Sequence, residues 1–406
     1  MLALYIHIPF CREVCPYCDF HKIKLGSGTV PEKEYLRTLL AELRQAVEKY
    51  SLNGRQAPSL FFGGGTPSLM TPKFFETSLA EVRQTFQTSD DFEITVETNP
   101  EHASLEMFSA WRALGIHRVS FGVQSFQEDL LKKLGRRHDA LRAIEAIRLA
   151  QKAGMENISL DLIFGAEGQT LESCRADLYK AMELNPTHIS AYQLTVEPGT
   201  LLHSRIKEGA TVLPQEETLV EMHRLVTQTL EEGGWGRYEI SNYAKPGFES
   251  RHNLQYWRYG DYLGLGSGAV SFLAVRPELA TQWLVEGQNE IKYICGSTGS
   301  PRTIYGKRWR TTRKLQQYLS GEILYEEEET IDNKTARGEF CMMGFRLIEG
   351  IESARFSSLF GVSFPEAYPH LYVDLLKKGW LVEQEGRLRL TEDGLIFSNA
   401  VARELF

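Results

Sequence analysis

Over the first 240 residues, short β-branched or aromatic runs alternate with amphipathic stretches, which restricts the chain to β/α units built around a parallel sheet. Six such units can be counted. The strand patterns cover residues 4–8, 59–62, 92–97, 118–122, 158–164 and 188–195, and the helical patterns cover 32–50, 72–87, 105–114, 140–153, 171–184 and 215–232. A closed barrel takes eight units, so six predict an open α/β fold, a partial (β/α)6 TIM-like barrel. In such a barrel the chemistry sits at the C-terminal ends of the strands, where the loops converge.

The first of those loops is the most unusual. Strand one runs into Cys11-Arg12-Glu13-Val14-Cys15-Pro16-Tyr17-Cys18, a C-x3-C-x2-C array holding three of the six cysteines. Three thiolates on one loop can hold three irons of a cubane 4Fe-4S cluster, leaving the fourth iron without a protein ligand. An open iron can bind a small molecule, and in the family of clusters that this spacing resembles the partner is S-adenosylmethionine (SAM), which chelates through its amine and carboxylate. A zinc site wants four ligands, and the only further candidate nearby is His21. Three cysteines within eight positions cannot all form disulfides, and Cys174, Cys295 and Cys341 stand alone. That usage fits a reducing compartment, with the isolated cysteines as buried small hydrophobes.

The other loops carry polar groups or bare backbone. They hold Gly63-Gly64-Gly65-Thr66-Pro67, Glu97-Thr98-Asn99-Pro100, Gly122-Val123-Gln124-Ser125 and Glu197-Pro198-Gly199-Thr200, while strand five carries Asp161. Singly, a glycine run reads as a turn and a strand-end acid as a helix cap. Placed after successive strands, they point together at one face of the barrel.

At 406 residues the chain should form two or three domains, and a net charge of −8 argues against nonspecific binding to a phosphate backbone. The N-terminus has no basic segment of the secretory kind and no apolar run approaches a membrane span, so the expected location is the cytoplasm. The expected division is a core at 1–240, a connecting region at 241–325 and a mainly helical C-terminal region at 326–406. The connecting region contains His252-Asn253-Leu254-Gln255-Tyr256-Trp257 and a glycine-rich connection at 260–268. Glu326-Glu327-Glu328-Glu329 reads as a solvated junction. Residues 333–347 are amphipathic, and a helix at 368–378, two strands within 379–390 and a helix at 391–405 make a winged-helix-like module. Its hairpin is acidic, which favours a covering or docking role over nucleic-acid binding.

The string Tyr5-Ile6-His7-Ile8-Pro9-Phe10-Cys11, followed by Cys15-Pro16-Tyr17-Cys18-Asp19-Phe20, resembles one branch of the radical SAM superfamily. That branch holds the oxygen-independent coproporphyrinogen III dehydrogenases (HemN) and the heme chaperones (HemW). The likeness extends through Gly63-Gly64-Gly65-Thr66-Pro67, Ser120-Phe121-Gly122-Val123-Gln124-Ser125, Gly135-Arg136-Arg137-His138, Asp161-Leu162-Ile163-Phe164-Gly165 and Arg251-His252-Asn253-Leu254-Gln255-Tyr256-Trp257 to Phe340–Leu347. Three departures favour the chaperones. Phe20 stands where the dehydrogenases carry a further cysteine, the Tyr-x-His string begins at residue 5 without their long arm, and H-N-x-x-Y-W resembles a chaperone hallmark.

The resemblance implies cluster ligands Cys11, Cys15 and Cys18, and SAM contacts at Tyr5, Tyr17, Gly64, Gly65, Thr66 and Glu97. Gln124, Arg136, Asp161 and Thr195 match positions that contact a second SAM in the dehydrogenases, and His252 is a candidate heme ligand because imidazole is a common axial ligand of heme iron. The function implied is a heme chaperone that passes heme, its cargo, to apo-hemoproteins of the respiratory chain. An electron donor for the cluster, peripheral membrane contact and a homodimer are the further implied partners. The alternatives are coproporphyrinogen III decarboxylation and a radical SAM heme-degrading methyltransferase.

Overall fold

The computed structural model describes residues 1–274 and 304–406, so Cys295 lies outside the described residues. Strands β1 (Leu2–Ile8), β2 (Gln56–Gly64), β3 (Gln87–Thr98), β4 (Arg118–Gln124), β5 (Asn157–Phe164) and β6 (His188–Gln193) lie side by side, all parallel and in chain order. Helices α1 (Glu32–Lys49), α2 (Pro72–Thr85), α3 (Leu105–Ala113), α4 (Ala140–Lys152), α5 (Leu171–Glu183) and α6 (Glu216–Glu232) follow them in turn. The six units form a partial TIM-like barrel, as the alternation predicts, and a mainly helical C-terminal region follows it.

Local chemistry sets the helix positions. Tyr35, Leu39, Leu43 and Ala46 recur at helical spacing and give α1 the face it buries. Ser104 Oγ caps α3 by accepting from the Met107 N–H at 3.1 Å, and Asp139 Oδ1 caps α4 from the Arg142 N–H at 2.7 Å. Thr170 and Ser173 form a reciprocal capping box at α5.

Beyond β6 the sheet adds β7 (Gly236–Arg237) and β8 (Asn242–Ala244). After α7 (Arg251–Trp257), the stretch expected as a glycine-rich connection is a strand, β9 (Asp261–Leu265), paired parallel with β1 on its open edge. Its glycine answers a close approach. A Cβ on Gly264 would lie 2.1 Å from the Val270 carbonyl oxygen, while the Gly264 N–H donates to Ser271 Oγ at 2.9 Å. Strands β10 (Val270–Ala274), β11 (Ile304–Thr311) and β12 (Tyr325–Asp332) continue antiparallel. The described order is β12-β11-β10-β9-β1-β2-β3-β4-β5-β6-β8-β7. The acidic run expected as a solvated junction thus lies within a strand, because Glu329 and Glu327 meet Arg308 and Arg310 across the ladder.

A second core, with Phe272, Ile331, Phe340, Phe356, Phe360 and Phe364 among its members, lies under α8 (Asn333–Gly344) and α9 (Ser353–Phe360). There β13 (Ile351–Glu352), β14 (Leu381–Gln384) and β15 (Arg387–Leu390) make a small antiparallel sheet beside α10 (Pro369–Lys377). The helix expected at 391–405 is two, α11 (Glu392–Ile396) and α12 (Ser398–Arg403), broken at Phe397, whose ring stacks on Trp380 at 4.7 Å. Cys174 and Cys341 are buried free thiols. No helix among the described residues is long and apolar enough to cross a membrane.

Candidate functional site

Along β5, Ile158, Leu160, Leu162 and Phe164 pack in the main core, while Ser159 and Asp161 face the concave side of the sheet. Arg118 and Ser120 of β4, and His188, Ser190 and Tyr192 of β6, do the same. The result is a cavity of about 490 Å³ inside the open barrel. Gly64 and Glu97 stand at its strand ends, and His252 and Tyr256 of α7, Tyr262 of β9 and Arg310 of β11 close its other wall.

The cysteine loop adjoins this interior, and Asp19, Phe20 and His21, which follow it, line the cavity. Its three thiols are half-buried and unpaired, and the Cys18 N–H donates to the Cys15 carbonyl at 3.2 Å. Burial pushes the Cys11 thiol up to about 11 and raises Cys18, while Thr66 Oγ1, 3.6 Å from Cys11 Sγ, donates to it and opposes the rise. Arg136 ties the loop to the barrel, with Nη1 on Cys15 Sγ at 3.4 Å and Nη2 on Asn99 Oδ1 at 2.5 Å and the Gly122 carbonyl at 2.8 Å. Two glycines are required by contact. A Cβ on Gly135, whose φ is +70°, would sit 2.7 Å from the Pro16 ring, and one on Gly65 would sit 2.7 Å from the Pro9 backbone.

Among the described residues, no three His, Cys, Asp or Glu side chains converge as they would on a single metal ion. The donor set of three free thiols on one loop, with a hydroxyl and a guanidinium directed at two of them, fits an iron–sulfur cluster, whose irons take thiolates and whose sulfurs take hydrogen bonds.

Beside the loop, the Tyr5 hydroxyl and His7 Nδ1 are 2.8 Å apart, and His7 Nε2 is 2.8 Å from the His21 carbonyl. A carbonyl only accepts, so Nε2 carries the proton and Nδ1 takes the tyrosine's. Burial holds His7 down at about 4, keeping it neutral near pH 7. The Gly64 N–H donates to Glu97 Oε2 at 3.0 Å. Burial, and after it the Asp161 carboxylate, pushes Glu97 up to about 8. Asp161, raised chiefly by its own burial, accepts from Ser120 Oγ at 3.0 Å.

His252 occupies the far wall and is 2 % exposed. Its Nδ1 is hydrogen-bonded to Ser59 Oγ at 3.0 Å, its ring stacks on Phe61 at 5.0 Å and meets Tyr256 edge-on at 5.0 Å. Its Nε2 is buried without a hydrogen-bond partner. Burial drives this imidazole down to about 3, so it is neutral, and in the tautomer whose Nδ1 donates to Ser59 Oγ the ring lone pair lies on Nε2.

The structure does not gather every expected residue. Tyr5, Gly64, Glu97, Asp161 and His252 line the cavity. Gln124, in the left-handed region at φ +69°, joins Asn99 and Arg136 around Gly122 under the cysteine loop. Tyr17 packs instead against the apolar group of Leu134, Leu194 and Leu202, and Thr195 is exposed beyond the end of β6. Sequence reasoning missed Arg118, Ser120, Ser159, His188 and Ser190. Their signal is a polar residue at every second position of strands that otherwise read as fully buried.

The radical SAM superfamily profile matches residues 5–178, and a HemN C-terminal domain profile matches 331–397. A heme chaperone HemW of Escherichia coli is 37 % identical, covering 100 % of this chain and 98 % of its own length. A heme chaperone HemW of Haemophilus influenzae is 36 % identical, with 100 % and 97 % covered. The chain belongs to the HemW family. As a HemW-family member within the radical SAM superfamily it has the 4Fe-4S cluster and SAM as its implied cofactors. The HemW-family fold is shared with coproporphyrinogen III oxidase (HemN) from Escherichia coli, a radical SAM enzyme, at a TM-score of 0.76 and 21 % identity over 100 % of this chain and 89 % of that one.

Proposed function

We propose that the chain binds heme in the barrel cavity and passes it unchanged to apo-hemoproteins, with respiratory enzymes as clients. The observation that carries this reading is the end-to-end likeness to heme chaperones, at 37 % identity across the whole chain. The site supports it: the cavity wall offers a buried neutral imidazole with an unpartnered Nε2, set between the rings of Phe61 and Tyr256. Imidazole nitrogen is a common axial ligand of heme iron, and aromatic faces pack on a porphyrin plane.

Cys11, Cys15 and Cys18 would hold the cluster, which when bound supplies an open iron for SAM and an electron for its cleavage. Around it the chain's own groups have defined tasks. Thr66 Oγ1 and Arg136 Nη1 steady the sulfurs of Cys11 and Cys15. The Gly64 N–H fixes the Glu97 carboxyl, which with Tyr5, Gly65 and Thr66 would flank SAM. Tyr17 is carried over as a further contact of this SAM, and Gln124, Arg136, Asp161 and Thr195 as matches to positions that contact a second SAM in the dehydrogenases. We assign 1–240 to the radical SAM core, 241–325 to the connecting region and 326–406 to the C-terminal domain, and place the protein in the cytoplasm with a one-electron donor as partner.

The test is an anaerobic assay of the cluster-reconstituted protein with reductant and SAM, supplied in parallel with coproporphyrinogen III or heme and read by mass spectrometry. Intact coproporphyrinogen, with heme bound and handed unmodified to an apo-acceptor, is the expected result. Decarboxylated coproporphyrinogen would replace this reading with the dehydrogenase one.

A further inference from the structure

The mouth of the cavity carries a cation and an aromatic ring that the cofactor sites leave unused. Phe20, two residues past Cys18, lines the cavity and yet is 69 % exposed, an expensive placement for a phenyl ring. Just beyond β11, Arg313 lines the same cavity and is exposed. Its neighbour Arg310 is neutralised by an ion pair with Glu327. Arg313 makes no ion pair and no guanidinium hydrogen bond among the described residues, although Glu326 lies close enough to feel its charge. Glu326 is itself engaged by Thr312 Oγ1 at 2.6 Å and by the backbone N–H of Arg313. Asp19, on the cysteine-loop side, is the acid that faces the mouth from Phe20's own segment.

A hydrogen-bond chain fixes the two arms relative to each other. Ser267 Oγ donates to the Thr312 carbonyl at 2.8 Å, so its proton is spent there, and His21 Nε2, 3.2 Å away, must be the donor to that hydroxyl. The His21 carbonyl is held in turn by His7 Nε2 at 2.8 Å. Gly268, with φ +82°, lets the imidazole lie flat against the turn, since a Cβ there would be 2.5 Å from His21 Cδ2. The residue after Phe20 and the residue before Arg313 are therefore bonded through one serine. The backbone that carries the two side chains is thus held in place before a ligand arrives.

Resting on the heme-binding reading above, we propose that Arg313 and Phe20 clamp the propionate end of the heme, the guanidinium pairing with a propionate carboxylate and the phenyl ring lying on the porphyrin face. The arrangement suits a flat, apolar, carboxylate-bearing ligand inserted edge-first with its iron toward the inner wall. A guanidinium matches a carboxylate with two parallel hydrogen bonds, and an exposed phenyl ring gains by covering a macrocycle.

The test titrates cluster-reconstituted full-length protein with ferric heme and, separately, with ferric heme dimethyl ester, whose propionates are masked. Wild type should bind heme about tenfold more tightly than the diester, the scale of one charge-assisted contact at a partly exposed site. Arg313→Gln should bind both equally, with diester affinity unchanged, and Arg313→Lys should recover part of the preference. Phe20→Ala should weaken both ligands to the same degree. An undiminished preference for heme in Arg313→Gln, or none in wild type, overturns the clamp while leaving heme binding standing. Unchanged affinities in Phe20→Ala overturn its aromatic half. Wild type without saturable heme binding overturns the reading of the site and the clamp together.

Discussion

Glu97→Gln isolates the cost of placing a carboxyl against Asp161 inside the barrel. In the folded protein Glu97 is pushed from 4.5 up to about 8, by burial first and by the Asp161 charge second. A carboxyl with a raised folded-state value binds its proton more tightly folded than unfolded, so stability falls as pH rises from the unfolded value through the folded one. The window that follows runs from pH 4.5 to 8. Each pH unit inside it changes the balance by about 1.4 kcal/mol, so from pH 6 to pH 8 wild type should lose about 2–3 kcal/mol relative to the glutamine variant, the lower figure allowing for shared titration with Asp161. Urea denaturation of the cluster-free protein, followed through tryptophan fluorescence with Trp111, Trp235 and Trp309 buried, reads the difference as a midpoint gap that widens by about 0.5–1 M over those two pH units. A gap that stays constant from pH 6 to pH 8 would refute the reasoning, because it would mean that Glu97 is ionised throughout.

Cys15→Ala should abolish the cluster, with iron falling from about four per chain after anaerobic reconstitution, the cubane stoichiometry; full retention sinks the ligand assignment. Gly64→Ala places a Cβ 2.4 Å from the His7 ring at φ +111° and should cost about 2–4 kcal/mol, read as a lowered Tm. If the overlap is the cause, combining it with His7→Ala recovers part of that loss. His252→Ala should weaken heme binding by roughly tenfold or more and alter the heme absorption spectrum. Unchanged affinity with an unchanged spectrum removes His252 from the ligand role.

The parallel strands are legible in the sequence because each is a β-branched or aromatic run bounded by turn residues, and the observed bounds differ from the expected ones by a few residues at most, except at the start of β3. The cysteine array is legible because three thiols at that spacing have few other uses. What escapes is set by tertiary contacts. Asp261–Leu265 contains a glycine and two of its neighbours are glycines, and it is a strand because β1 and Ser271 supply its partners from far along the chain and from across a tight turn. Glu326–Glu329 is solvated as its charge suggests, but it reads as a junction until Arg308 and Arg310 are placed opposite. The cavity floor escapes for a different reason. A lone serine in an apolar strand carries no meaning until Ser120, Ser159 and Ser190 are seen on adjacent strands facing one space.

The pairing of β9 with β1 also bears on how the protein is made. Ribosomes deliver Leu2–Ile8 first and Asp261–Leu265 some two hundred and fifty residues later, yet the two hydrogen-bond along their length. Until then the outer edge of β1, the strand that leads into the three cysteines, has no neighbour. An unpaired apolar edge invites association with other chains, and pairing over so long a separation is slow. Assembly of the metal centre before the nascent chain is complete would therefore occur on a barrel still open beside it, and the late strand is what closes that edge.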